Sequence, residues 1–164
     1  MAQAHPARAR VTLERTFDAT AEEVWELWTT AEGVEAWWGP DGFDVKVRAI
    51  DLRVGGVMTY VMTATAADQV EFMRKAGMPL ATEARLTFTE VDPPRRLEYN
   101  HLADFIPGVE PYLVATRVDI ETTGGGVRMA LTLQAMHDHE WTERAIRGWE
   151  SELDKLAAVL RSRV

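Results

Sequence analysis

The sequence contains no cysteine in its 164 residues. This absence excludes a disulfide scaffold, a thiol nucleophile and a metal site built from thiolates, which are the common uses of cysteine in small proteins. Proteins of reducing compartments rarely carry disulfides, so the composition favours a cytoplasmic location.

Basic residues are few relative to acidic ones. The chain has 18 Lys and Arg residues against 26 Asp and Glu residues, which gives a formal net charge of −8. This average field would repel a phosphate backbone, and no cluster of Lys and Arg opposes it. We therefore expect no nucleic acid partner.

Long apolar runs are also missing. No run approaches the roughly 20 residues that a helix needs to span a bilayer, so no membrane association is expected. Residues 1–10 contain basic side chains without an apolar segment behind them, which is unlike a signal peptide. We predict a flexible N-terminus over residues 1–10 and one domain over residues 11–164, because the chain shows no repeat, linker or low-complexity tract.

Alternation of apolar and polar side chains predicts seven strands. In chain order they cover residues 11–17, 43–50, 57–64, 84–91, 95–102, 112–122 and 127–136. Gly55-Gly56 and Thr123-Gly124-Gly125-Gly126 mark two of the connecting turns. Connections of this kind favour an antiparallel sheet.

Helical signals flank this run of strands. Thr20 and Glu23 form a capping box, which predicts a helix that ends before Gly33, and a second short helix is predicted over residues 34–38. After Asp138, apolar residues recur at spacings of three and four and predict a long amphipathic helix. A further short helix is predicted over residues 68–76. The fold class is therefore α+β, with a curved antiparallel sheet of about six to seven strands around a long C-terminal helix.

Five sequence stretches carry a resemblance to a known family. They are Thr16-Phe17-Asp18-Ala19-Thr20-Ala21-Glu22-Glu23-Val24-Trp25, Trp37-Trp38-Gly39-Pro40, Asp51-Leu52-Arg53-Val54-Gly55-Gly56, Asp92-Pro93-Pro94-Arg95-Arg96-Leu97, and Gly148-Trp149 with Leu153 and Leu156. In this order they resemble the START-like helix-grip superfamily, and within it the family named for the activator of the heat-shock-protein-90 ATPase.

The resemblance implies a fold more directly than a function. Relatives in the wider superfamily bind lipids, hormones or polyketides, and some are cyclases or hydrolases, so the fold alone selects no activity. Two segments, residues 62–83 and 103–110, are longer than the family pattern. The resemblance places both near the mouth of a cavity, where they would determine what enters.

Aromatic and methionine residues occupy many inward positions of the predicted strands and last helix. Pockets for small molecules are mostly apolar with a few polar groups, so this pattern predicts an internal cavity, although plain core packing is the alternative for each residue. The candidate lining residues are Trp38, Met58, Tyr60, Met62, Phe72, Met73, Tyr99, His101, Phe105, Tyr112, Leu131, Leu133, Trp141 and Trp149. Of these, Trp38, Tyr60, Tyr99, His101 and Trp149 are predicted to contact a ligand.

Tyr99, His101 and Asp104 form the polar set with the clearest catalytic potential. Strand alternation places Tyr99 and His101 on one face, and a histidine with an ordinary pKa of about 6.5 could act as a general base. Asp104 could orient its ring. A hydrogen-bonded, inert histidine at the end of a strand is the alternative.

His137-Asp138-His139-Glu140 contains four possible metal ligands in a row. Consecutive side chains at a junction between strand and helix diverge, whereas zinc requires convergent ligands. We therefore predict no metal site and assign Asp138 as the N-cap of the last helix.

The function predicted from these observations is binding of a small apolar or aromatic molecule, without a cofactor, by a monomer or homodimer. One alternative is an enzyme of the cyclase or hydrolase type that uses His101 and Tyr99 in the same cavity. Another is a chaperone-associated interaction module, which would need a large exposed apolar patch.

Overall fold

The computed structural model describes residues 9–104 and 106–163. Over this range it contains seven strands and four helices in the predicted order. They are β1 (Arg10–Phe17), α1 (Ala21–Thr29), α2 (Ala31–Trp37), β2 (Phe43–Ile50), β3 (Val57–Ala64), α3 (Ala67–Lys75), β4 (Ala81–Asp92), β5 (Arg96–Ala103), β6 (Tyr112–Thr123), β7 (Gly126–Gln134) and α4 (His139–Ser162). The flexible N-terminus predicted over residues 1–10 lies mostly outside the described residues.

The strands form one antiparallel sheet in the order β1-β7-β6-β5-β4-β3-β2. The register shifts between Val47 and Ala49 in the β2–β3 pair and between Phe88 and Glu90 in the β4–β5 pair. Irregularities of this kind bend a strand and increase its twist, so they favour a curved sheet with one concave face. The predicted α+β class and curved antiparallel sheet are confirmed.

The two short helices meet at Thr30 rather than at Gly33. The capping box of α1 is present, with the Glu23 N–H donating to Thr20 Oγ1 at 3.1 Å. Thr30 ends α1 and also caps α2, because its hydroxyl accepts the Gly33 N–H at 3.0 Å. The first helix ends before Gly33 as predicted, but the predicted start of the second helix was wrong: α2 begins at Ala31 and passes through Gly33. A cap residue shared by two helices needs no glycine break between them.

The long helix α4 begins at Asp138, whose carboxylate accepts the Trp141 N–H at 2.8 Å. This confirms Asp138 as the N-cap. The fully buried side chains of α4 all belong to its second half: Glu152, Leu153, Leu156 and Leu160. The first half of α4 contains no buried residue, so it stands away from the sheet. None of the described helices is long and apolar enough to cross a membrane.

The helix predicted over residues 68–76 is present as α3. Its residue Met73 packs with Ala64 and Met78 in a small apolar cluster of its own. Partly buried side chains around this cluster include Phe43, Phe72 and Trp141. The cluster joins α3 to the first turn of α4 and to the end of β3.

Gly33 in α2 and Gly148 in α4 provide a matched test of how tightly these two helices are packed. A Cβ on Gly33 would lie 2.5 Å from the Glu26 carbonyl oxygen, whereas a Cβ on Gly148 would meet only Pro40 Cβ, at 3.8 Å. Gly33→Ala should therefore lower the free energy of unfolding by about 1–3 kcal/mol, through overpacking. Gly148→Ala should raise it by about 0.5–1 kcal/mol, because alanine is the better helix former. Urea unfolding of both variants measures the two shifts, and equal signs would contradict this account.

Candidate functional site: the sheet–helix cavity

A cavity of about 490 Å³ lies between the concave face of the sheet and the first half of α4. Strands β3, β4, β5, β6 and β7 provide its floor, α4 and α3 cover it, and the α2–β2 connection closes one side. The cavity is thus the space left where α4 stands away from the sheet. We call it the sheet–helix cavity.

An aromatic wall surrounds one end of the sheet–helix cavity. The Trp38 ring centroid lies 5.7 Å from that of Tyr60, 6.2 Å from that of Tyr99 and 6.0 Å from that of Trp149. These rings come from the α2–β2 connection, β3, β5 and α4, so four separate parts of the chain converge here. Such a wall offers flat apolar surfaces against which a planar ligand can stack.

Two further tryptophans, Trp28 and Trp37, pack against this aromatic wall. Trp28 lies 5.7 Å from Trp149 in a stacked arrangement and 4.7 Å from Trp37 in an edge arrangement. The indole N–H of Trp37 donates to the Leu27 carbonyl at 2.8 Å. Because both rings are fully buried and their positions are constrained, the wall they support is preorganised.

The other end of the sheet–helix cavity is lined by flexible and cationic side chains. Met62, Met73 and Met78 all line it, and methionine fills irregular spaces without a fixed shape. The Arg144 guanidinium lies 3.9 Å from the Phe72 ring centroid, in a cation–π contact that joins α4 to α3. Arg147 also lines the cavity.

Glu152 is the buried acid of the sheet–helix cavity. Its side chain is only 5% exposed, and its Oε1 accepts the Gly39 N–H at 2.7 Å. Burial raises the pKa of Glu152 to about 8, although the Gly39 hydrogen bond and the nearby Lys155 charge act in the opposite direction. The Lys155 ammonium donates instead to the Gly39 carbonyl at 2.7 Å. At neutral pH the neutral carboxyl group therefore predominates.

Two tyrosines share the aromatic end with Glu152. Burial, with the Glu152 charge in addition, raises the pKa of Tyr60. Burial, with Tyr60 and Glu152 in addition, raises the pKa of Tyr99, and the neighbouring Thr116 moderates this rise. Both phenols therefore stay protonated and can donate hydrogen bonds.

His101 lies at the cavity wall on β5, two residues after Tyr99, with its Nε2 atom buried. Burial lowers the pKa of His101 to about 4, and the exposed Asp104 opposes this shift only in part. The imidazole is therefore neutral at pH 7. It can take part in hydrogen bonds but is a weak base, in contrast to the ordinary pKa assumed from the sequence.

The structure brings most of the predicted lining residues together and leaves out three of them. Met58 and Leu131 lie in the packed core, because their strand positions face the buried part of the sheet below the cavity. Tyr112 lies outside the cavity lining, where its hydroxyl is 2.7 Å from His137 Nδ1. Phe105 lies outside the described residues. The residues that line the cavity as predicted are Trp38, Tyr60, Met62, Phe72, Met73, Tyr99, His101, Leu133, Trp141 and Trp149.

Sequence reasoning missed Glu152 altogether, as well as Thr82 and Thr116. Glu152 lies three residues after Trp149 and four before Leu156, so the helical period already placed it on the inward face. An acid on an apolar face was the available signal. Thr82 Oγ1 is buried without a hydrogen-bond partner among the described residues, and no sequence pattern indicates this.

The row His137-Asp138-His139-Glu140 does not converge. Asp138 caps α4, and His137 lies against Tyr112. Within residues 9–104 and 106–163, no group of three or more His, Asp or Glu side chains could hold a metal ion.

A family model now places the chain among known proteins. The model for activator of Hsp90 ATPase homolog 1-like proteins matches residues 18–161. The chain belongs to this family. The prediction from the five sequence stretches is thereby confirmed. No curated protein matches the chain.

Solved structures of similar proteins share the fold. The AHSA1 protein from Silicibacter pomeroyi is 24% identical, with a TM-score of 0.72 over 95% of this chain and 100% of that chain. A protein from Arthrobacter aurescens is 22% identical, with a TM-score of 0.74 over 93% of this chain and 86% of that chain. A protein from Chromobacterium violaceum is 21% identical, with a TM-score of 0.73 over 92% and 96%. At these identities the likeness shows the family's fold and no specific activity.

The burial of Glu152 predicts a distinct dependence of stability on pH. Its folded pKa of about 8 exceeds the ordinary value of 4.5, so the folded state favours the protonated form. The stability that Glu152 contributes is fully present below pH 4.5 and is lost as the pH rises to about 8. Glu152→Gln keeps an acceptor for Gly39 but cannot ionise. Relative to wild type, the variant should therefore gain up to about 1.4 kcal/mol of unfolding free energy per pH unit across this window.

Denaturant unfolding at several pH values measures this difference. Glu150→Gln is the matched control, because Glu150 is exposed on the same helix. The free energy of unfolding of Glu150→Gln should change with pH in the same way as that of wild type. If the unfolding free energies of Glu152→Gln and wild type change with pH in the same way, Glu152 is solvated and ionised in the folded protein.

Proposed function

We propose that this protein binds a small apolar or aromatic molecule in the sheet–helix cavity. The observation that carries the proposal is the cavity itself. Its volume of about 490 Å³ falls within the range of about 300–1,000 Å³ that is usual for ligand pockets. Helix-grip proteins commonly bind hydrophobic ligands, which supports the same function.

The chemistry of the lining supports an apolar ligand with few polar groups. Trp38 and Trp149 offer faces for stacking, and the methionines at the other end adapt to the ligand's shape. Tyr99 and His101 supply hydrogen bonds from β5. A preorganised aromatic end and an adaptable methionine end fit a ligand with one rigid part and one variable part.

Binding is favoured over catalysis by the state of His101. An imidazole with a pKa of about 4 is a weak base at pH 7, and general-base catalysis is most efficient when the pKa lies near the working pH. Tyr99 beside it could still polarise a substrate. An enzyme of the cyclase or hydrolase type therefore remains the second candidate. It predicts that His101→Ala abolishes turnover without unfolding the protein.

An interaction module has less support from the surface. Among the described residues, the exposed large apolar side chains are Leu52, Val54 and Leu113. Leu52 and Val54 lie in the β2–β3 turn, and Leu113 lies on β6. Isolated residues of this kind are normal on a soluble surface and do not form a docking patch.

Native mass spectrometry of protein purified gently from its own cells tests the binding function. We expect an additional mass that is retained under native conditions and lost on denaturation. Cavity filling then locates the ligand. Ala84 lies opposite Tyr60 in the β3–β4 pair and lines the cavity, so Ala84→Phe should displace the bound mass.

Ala130→Phe is the matched control for this experiment. Ala130 is half-buried on β7 and pairs with Glu14 and Asp119, on the face opposite Met129 and Leu131. The same added ring there should leave the retained mass unchanged. Retention of the mass in both variants would place the ligand outside the sheet–helix cavity. Loss in both would show that the added ring acts through the fold rather than by filling the cavity.

A further inference from the structure

Three side chains with acidic hydroxyl groups converge at the aromatic end of the sheet–helix cavity. Tyr60 comes from β3, Tyr99 from β5 and Glu152 from α4, and all three line the cavity. They are close enough for the charge of Glu152 to act on both phenols. Parts of the chain that are far apart in sequence thus bring three hydroxyl donors to one place.

The protein itself uses the oxygens of these three groups only in part. The Tyr99 hydroxyl is buried and lies beside the Thr116 side chain, but no well-aligned hydrogen bond joins the two among the described residues. Within the same residues, the Tyr60 hydroxyl and Glu152 Oε2 also form no hydrogen bond. Neither of these two oxygens is among the completely buried atoms, so a molecule in the cavity can reach them. A buried donor without a partner is unfavourable, and a ligand that supplies an acceptor removes this cost.

The Gly39 peptide determines how the Glu152 carboxyl group is oriented. Oε1 accepts the Gly39 N–H, and the Lys155 ammonium binds the Gly39 carbonyl rather than the carboxyl group. Because Oε1 is an acceptor, the proton of the neutral carboxyl group is carried by Oε2. Glu152 therefore donates a hydrogen bond toward the cavity, as a neutral acid in an apolar site can do.

We propose that Tyr60, Tyr99 and Glu152 form a donor cluster that selects ligands with a carbonyl oxygen attached to an apolar or aromatic body. The carbonyl accepts hydrogen bonds from the donor cluster while its rings stack on Trp38 and Trp149. This inference rests on the proposed function and adds the chemical class of the ligand.

The surrounding charges favour a neutral acceptor over a cation. A cationic ligand would require an ionised Glu152, and Arg144 and Arg147 of α4 line the same cavity and would repel it. The other titratable or charged groups around the donor cluster are Asp41 from the α2–β2 connection, His101 from β5 and Lys155 from α4. Of these, His101 is neutral at pH 7, and the Lys155 ammonium is held by Gly39.

Three naphthalene probes of similar size test the donor cluster. They are 2-acetylnaphthalene, which carries the carbonyl, 2-ethylnaphthalene, which has no acceptor, and 1-(2-naphthyl)ethylamine, which is cationic. Each is titrated at pH 7 against the full chain, and affinity is read from tryptophan fluorescence and calorimetry. The wild type should bind the ketone on the order of tenfold more tightly than the hydrocarbon.

Tyrosine variants identify the residues responsible. Tyr60→Phe and Tyr99→Phe each remove a hydroxyl without changing the ring, so each should reduce the preference for the ketone and leave the affinity for 2-ethylnaphthalene unchanged. Tyr112→Phe is the matched control, because Tyr112 lies outside the cavity lining. Glu152→Gln should retain most of the preference, since its amide N–H also donates, whereas Glu152→Leu should lose it. Thermal melts confirm that each variant is folded.

The outcomes separate this inference from the proposed function. If no probe binds, the proposed function fails. If the ketone and the hydrocarbon bind equally well to wild type, the cavity binds apolar molecules but the donor cluster does not select them. If the amine binds best and Glu152→Gln abolishes that binding, Glu152 is ionised and the site recognises cations, which also overturns the inference.

Discussion

The uneven packing of α4 against the sheet is the feature on which the rest of the molecule depends. Leu153, Leu156 and Leu160 anchor the second half of the helix in the core, while its first half contributes no buried residue. A rigid helix that is held at one end over a curved sheet must leave a space at the other end. The sheet–helix cavity is that space, and α3 covers part of it through Phe72 and Met73.

The packing of the second half of α4 also determines the position of the buried acid Glu152. Glu152 is adjacent to Leu153, so it is carried into the protein interior at the boundary between the packed half of α4 and the open half. The Gly39 peptide satisfies one of its oxygens, and burial keeps the carboxyl group mostly neutral. Burying an acid that the protein satisfies only in part is costly for stability.

Prediction from the sequence succeeded where short-range patterns determine the structure. Alternation located the strands, and Asp138 and Thr20 marked helix starts because a cap involves residues only a few positions apart. Alternation also placed Tyr99 and His101 on one face of β5. It failed for Met58 and Leu131, which share faces with cavity residues but lie in the core, because no local pattern tells how far along a strand the covering helix stays in contact.

Periodicity, caps and short motifs involve residues that are neighbours in the chain. These local signals were enough to predict the order of elements, the antiparallel sheet, the amphipathic last helix and the family resemblance. The cavity, its neutral acid and the low pKa of His101 arise only in the tertiary structure. Each depends on contacts between residues far apart in sequence, such as Gly39 with Glu152, and on the exclusion of water from the space they enclose. Desolvation is a property of the assembled interior, so a sequence pattern can indicate which side chains face inward but not which of them lose contact with water.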